Sequence, residues 1–173
     1  AKDGKVYHIV GKSGCGNYSG NMTGFFMRKY LNESMPQPEV VENYSEQHWI
    51  EFRYAEALLN GVEAAVEMGQ HLDDALLWIN DIRKRADIKL LAQDDLTVDR
   101  VRHERRIELA FENHTYWDLR RWRIADKEIE AKQYTALYPY FDINKQKYVY
   151  EEANANKYYY TFHTKMYYER IPD

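Results

Sequence analysis

The apolar and polar positions divide the chain into three zones, and only the middle one, residues 46–132, has a helical period. Phe52, Ala55, Leu59, Val62 and Val66 recur at alternating spacings of three and four, which sets them along one side of a first helix. Gly69 follows, where a left-handed residue commonly ends a helix. A second stripe runs through Ala75, Ile79, Ile82 and Ala86, with Asp73 as its candidate N-cap. Thr97 opens a third helix, and Asp99 favours its positive first turn. That helix is expected to carry Val101, Ile107, Ala110 and Phe111 and to stop at Asn113. A further short helix is predicted over 116–123.

The flanking zones lack this period. Residues 1–45 form a loop-rich lead-in with turn clusters over 11–17 and 35–38. Lys5–Val10 and Phe25–Leu31 are expected there as short extended segments. Residues 133–173 hold ten of the 16 tyrosines, so the half-buried covering layer that tyrosine suits is placed here, as loops with one or two short strands. The chain therefore reads as mainly α. Its first two helices match one tetratricopeptide-like pair, with Ala64, Gly69 and Ala75 allowing a close crossing. Such a unit cannot bury its apolar side alone, and neighbouring repeats are expected upstream in a longer parent.

Composition narrows the classes. At 173 residues the chain is long enough to bury a core, and 15 % aromatic residues argue against disorder. With 30 % charged residues and a mean hydropathy of −0.77, no apolar run approaches the roughly 20 residues of a spanning helix. A net charge of −4 gives no overall pull toward nucleic acid. The single cysteine, Cys15, forbids an internal disulfide. It sits in Gly14-Cys15-Gly16 without a preceding apolar run, unlike a lipid-attachment cysteine, and residues 1–12 do not form a signal peptide. The sequence reads as an excised segment of a longer, processed protein.

No reaction centre emerges from the motifs. Gly11-Lys12-Ser13 has Val6 where a phosphate loop needs its first glycine. His103-Glu104 begins like a zinc-protease helix, but Ile107 stands where the second histidine belongs. Cys15 has no base beside it in sequence, and Asp73/Asp74, Asp94/Asp95 and Glu151/Glu152 read as solvated neighbours rather than facing acids. Catalytic residues, metal ligands and cofactors are accordingly read as none.

The strongest local anomaly lies over 97–124. Arg100, Arg102, Arg105, Arg106, Arg120, Arg121 and Arg123 face Asp99, Glu104, Glu108, Glu112 and Asp118. Such near-neutrality is wrong for a nucleic-acid surface. It fits an ion-pair lattice, with Arg105 beside Glu108, holding the third helix to the segment over 117–122. The alternative is a solvated charged face. Trp49, Trp78, Trp117, Trp122 and the tail tyrosines suit the C–H faces of sugars, but core packing suits them equally. Ligand-binding residues stay unknown.

Several segments, in order, carry a family resemblance. Trp49-Ile50-Glu51-Phe52-Arg53-Tyr54-Ala55-Glu56-Ala57-Leu58-Leu59-Asn60, Ile79-Asn80-Asp81-Ile82-Arg83 and Arg102-His103-Glu104-Arg105-Arg106-Ile107-Glu108-Leu109-Ala110-Phe111-Glu112 resemble the C-terminal part of the SusD/RagB family. His114-Thr115-Tyr116-Trp117-Asp118-Leu119-Arg120-Arg121-Trp122 continues the likeness, with weaker similarity over 23–30 and at Ile171-Pro172. The resemblance implies a mainly α, SusD-like α–α superhelix of tetratricopeptide-like pairs with long irregular loops. It implies a surface lipoprotein of the Bacteroidetes outer membrane that binds glycans or other nutrients and is not an enzyme. The implied partner is a SusC-type TonB-dependent transporter, and the implied membrane contact is a lipid anchor on a part that precedes these residues. Arg102, Glu104, Arg105, Glu108 and Arg120 would then be structural. A helical-repeat interaction scaffold without a glycan site is the competing expectation.

Overall fold

In the computed structural model, which describes residues 7–9, 27–42, 45–142, 144–155 and 158–168, the middle zone forms α1 (Tyr54–Met68), α2 (Leu72–Arg85), α3 (Val98–Glu108), α4 (His114–Arg121) and α5 (Ala125–Ile129). Two compact units divide the chain, one over 30–118 and the other over 1–29 with 119–173.

In the unit over 30–118, α1 stops at Gly69, whose φ of 65° is the left-handed turn expected of it. Val62 and Ala65 from α1, Ala75 and Ile79 from α2, Leu91 and Val101 form one buried cluster. Leu58, Leu59, Ile82 and Leu109 form a second. Each fully buried aliphatic side chain here contributes about 1.5–3 kcal/mol. Trp78 packs against both clusters. Its ring lies over Gly61, where an added Cβ would fall 2.9 Å from Cζ3. The close crossing is therefore at Gly61, and Ala64, expected to supply it, is exposed.

Between α2 and α3 the chain forms only a short 3₁₀ turn over Gln93–Asp95, and polar side chains tie it down. Leu91 exchanges hydrogen bonds with the Asn80 side chain, its N–H reaching Oδ1 at 2.8 Å and its carbonyl accepting from Nδ2 at 3.0 Å. Arg83 Nε donates to the Lys89 carbonyl at 2.6 Å. Thr97 caps α3 as expected, its Oγ1 accepting from Arg100 N at 3.2 Å.

Three local expectations are corrected. Phe52 lies ahead of α1 and is 84 % exposed, because the chain is still extended at Arg53. Asp73 is in the first turn of α2 rather than at its cap, since His71 turns left-handed at φ 56° and the helix begins at Leu72. α3 ends at Glu108, with Phe111 and Asn113 both at positive φ in the turn that follows. Ile107 and Phe111 are consequently exposed, and Leu109 supplies the buried contact.

In the unit over 1–29 and 119–173, β1 (Tyr7–Ile9), β2 (Thr135–Asp142) and β3 (Lys147–Asn154) form an antiparallel sheet in the order β1-β2-β3. Tyr7 pairs with Asp142, and Thr135 with Asn154. The tail thus holds a hairpin of two eight-residue strands, longer than the short strands expected. Asp142 is buried at the turn, its Oδ1 accepting from Asn144 N and Lys145 N at 3.0 and 3.1 Å. Ala136 and Tyr138 are buried, whereas every side chain of β3 is exposed. Leu119, Ala125 and Phe162 form a separate buried cluster, against which Tyr167 packs. Of the two extended segments expected in the lead-in, one appears as β1; the described part of the other, from Met27, turns at Tyr30 with φ 67°.

Candidate functional site

The arginine-rich motif builds the charged interior of the unit over 30–118. Arg105, on α3, donates from Nε to Asp118 Oδ2 at 2.8 Å and from Nη1 to Asn60 Oδ1 at 2.7 Å. One guanidinium therefore ties α3 to both α4 and α1. Arg53, just before α1, spreads its fork over the end of α3: Nε reaches Glu112 Oε2 and Nη1 reaches Glu108 Oε1, both at 2.6 Å. Its Nη2 donates to the Glu108 carbonyl at 2.7 Å, satisfying one of the helix's terminal acceptors. Arg85 Nη2 also donates to Glu108 Oε1 at 2.6 Å, and Arg83 pairs with buried Glu104.

The expected lattice forms, including the link to the segment over 117–122, but its wiring differs. Arg105 pairs with Asp118, not with Glu108 of its own helix. Glu104, Glu108 and Glu112 take arginines from outside α3, and Glu104 also meets Arg100 of its own helix at 3.7 Å. Arg83 and Arg85 stand in the last turn of α2, where cations are favoured. Burial opposes the Arg53 charge most strongly, yet the hydrogen bonds and charges of Glu112 and Glu108 together outweigh it and hold the guanidinium above its ordinary range. Burial, then the Glu112 charge, pushes the neighbouring Tyr30 phenol upward, with Arg53 pulling the other way. These carboxylates are held by cations. The arrangement locks helices together.

Among the described residues, the other motifs form no group of three or more metal-ligating side chains. His103 is exposed while Glu104 is buried against Arg83. Asp73 and Asp74 are exposed in the first turn of α2, Asp94 and Asp95 sit in a 3₁₀ turn, and Glu151 and Glu152 alternate on β3. Gly11-Lys12-Ser13 and Cys15 lie outside the described residues.

Each tryptophan has its own local partner. Trp49 stacks on Tyr30 with centroids 5.1 Å apart, and Trp117 meets Tyr116 edge-on at 4.9 Å. Trp122 lies under the Arg121 guanidinium at 5.3 Å, and Trp78 belongs to the core. Among the tail tyrosines, Tyr167 hydrogen-bonds to Asp126 and packs on Phe162, while Arg123 stands over the Tyr167 and Tyr168 rings at 4.7 and 5.1 Å. These are fastened.

Tyr148 and Tyr150 form a further aromatic pair. Both stand on one face of β3, near-parallel at 30°, with centroids 6.5 Å apart and about half of each residue exposed (52 and 54 %). Residue-by-residue reading did not single them out, although the alternation Tyr148-Val149-Tyr150 is the signal that places two rings on one strand face.

The model of the SusD family matches residues 1–173. The SusD-like protein P2 of Formosa agariphila is 32 % identical over 111 residues, covering 58 % of this chain and 22 % of that protein. The crystal structure of a SusD-like protein from Bacteroides fragilis NCTC 9343 superposes with a TM-score of 0.53 at 28 % identity, covering 69 % of this chain and 22 % of that one. This chain thus spans about a fifth of the length of either relative, and its mainly helical body carries the tetratricopeptide-like SusD fold. Motif, helix arrangement and a family match across the whole chain agree: the protein belongs to the SusD family.

Proposed function

We propose that this chain is part of a surface-exposed binding protein of the outer membrane. That protein captures a glycan or another nutrient, hands it to a SusC-type TonB-dependent transporter and catalyses no reaction itself. Membership of the SusD family over residues 1–173 is the observation that carries this reading. The commitment of Glu104, Glu108, Glu112 and Asp118 to arginines supports the non-enzymatic part of it. No helix among the described residues is long and apolar enough to cross a membrane, and attachment through a lipid on a preceding part belongs to the same proposal. Within it, residues 1–45 lead in, 46–132 act as scaffold and 133–173 as a covering segment.

The second reading is a helical-repeat scaffold for protein partners, favoured by the exposed Tyr54 and Met68 of α1 and Leu77 of α2. Native affinity electrophoresis of the chain in gels containing different soluble polysaccharides separates the two. Retardation by a polysaccharide supports ligand capture. Unchanged mobility throughout, with the chain shown folded by circular dichroism, favours the scaffold.

A further inference from the structure

We infer that the outer face of the β2–β3 hairpin is a stacking platform for a neutral glycan, with Tyr148 and Tyr150 as its floor and Glu152 as its hydrogen-bonding edge. This rests on the nutrient-binding reading and adds to it a place, a set of residues and a ligand class. In a strand, alternate residues share a face, and directly paired residues of the neighbouring strand share it too. Tyr148, Tyr150, Glu152 and Asn154 therefore line one side of β3, joined through the register by Leu137 opposite Glu152 and Thr135 opposite Asn154. All six are exposed.

The aromatic half of this strip has the form a sugar ring needs. Tyr148 and Tyr150, stacked at 30° with centroids 6.5 Å apart and each about half exposed, offer apolar ring surface for the C–H face of a pyranose while its equatorial hydroxyls stay in water. The other half supplies polar groups. Glu152 is the next residue on this face after Tyr150, and Asn154 with Thr135 opposite it follows further along the strand, extending the strip with acceptors and donors for those hydroxyls.

Charge selects the class. Among the described side chains of this face, Glu152 is the only one that is charged at neutral pH. Lys147 pairs with Asp142 on the opposite face, where Glu151 also lies, across from Tyr138. There burial, then the Glu151 charge and hydrogen bond, hold the Tyr140 phenol above its ordinary range. With one carboxylate and no cation among its described side chains, this face disfavours uronate or sulfate groups and accepts hydroxyls. Uncharged polysaccharide is the fitting occupant.

The test is affinity electrophoresis and titration calorimetry of the whole chain against neutral probes (xyloglucan, galactomannan, laminarin, amylopectin) and anionic ones (alginate, polygalacturonate, carrageenan). The expected result is binding of at least one neutral probe, weakened roughly tenfold or more by Tyr148→Ala or Tyr150→Ala and kept by the Phe variants, as befits a stacking hot spot. Neutral binding that survives the Tyr148→Ala/Tyr150→Ala double variant, with its circular dichroism unchanged, overturns the platform and leaves nutrient capture standing. Binding of anionic probes alone overturns the ligand class. If the folded wild type binds nothing in either set, the nutrient-binding reading falls and the platform with it.

Discussion

Arg105 and Asp118 form a buried ion pair, Nε to Oδ2 at 2.8 Å, with side chains only 5 and 6 % exposed. Charges this far from water are tolerable only as a pair, and the second arm of the same guanidinium is spent on Asn60. Removing one partner strands the other. Asp118→Ala is expected to cost about 3–5 kcal/mol, the usual penalty for a buried charge left alone. Arg105→Lys should recover little, because one ammonium cannot reproduce a fork aimed at two helices. Urea unfolding followed by circular dichroism measures both. A midpoint shift for Asp118→Ala no larger than that of an exposed pair such as Arg102–Glu67 would contradict the account.

Glu108 is shared, and sharing makes its removal non-additive. Arg53 and Arg85 both donate to Oε1, and Arg53 also holds Glu112 and the Glu108 main-chain oxygen. Glu108→Ala therefore leaves Arg53 with two of its three acceptors. We expect a loss of about 1–3 kcal/mol, smaller than for Asp118→Ala. Adding Arg53→Met to Glu108→Ala should cost less than the two single changes combined, since the second removes a cation already short of a partner. A strictly additive double-mutant cycle would show that the contacts do not couple.

Tyr167 fixes a pH dependence in the other unit. Its hydroxyl donates to Asp126 Oδ1, and that hydrogen bond is the main cause holding the Asp126 carboxyl below its ordinary value, against a smaller opposing effect of burial. A depressed carboxyl stabilises the fold above its unfolded value of roughly 3.9 and loses that contribution as pH falls through the folded value. Tyr167→Phe should thus raise the Asp126 titration midpoint, read by NMR. It should also be less stable than wild type at pH 7, with the part of the gap due to ionised Asp126 lost as pH falls through the folded value. An unmoved Asp126 midpoint would remove the hydrogen bond from the explanation.

Helix periodicity, the Thr97 cap, the Gly69 stop and the arginine motif were legible because their causes are local. The stripe Leu59, Val62 and Ala75, Ile79 is a property of spacing, and Thr97 caps α3 through a bond three residues away. The wiring of the lattice was not legible. Arg53 meets Glu108 across 55 residues, and nothing in the helix period says which arginine turns inward. Long-range pairing also hid the sheet, since β1 finds β2 more than 120 residues later. Once the hairpin exists, the face shared by Tyr148 and Tyr150 follows from alternation. From sequence alone it was two tyrosines among ten.

The two glycines of the helix pair separate a backbone cost from a packing cost. Gly69 has φ 65°, and a Cβ there would meet nothing within 4 Å, so Gly69→Ala should lose about 1–2 kcal/mol through left-handed strain alone. Gly61 lies inside α1 with no positive φ, and its constraint is Trp78. Gly61→Ala improves helix propensity by up to about 1 kcal/mol but drives a methyl against a ring wedged between two core clusters, at about 1–3 kcal/mol. The net effect should be destabilising, with Trp78 fluorescence shifted as the indole is displaced. Pairing each change with Trp78→Leu distinguishes them. The smaller side chain should relieve Gly61→Ala, so that the double variant is more stable than the two single losses predict, and should leave the penalty of Gly69→Ala unchanged. Equal coupling of both glycines to Trp78 would mean that the helix crossing is not set at Gly61.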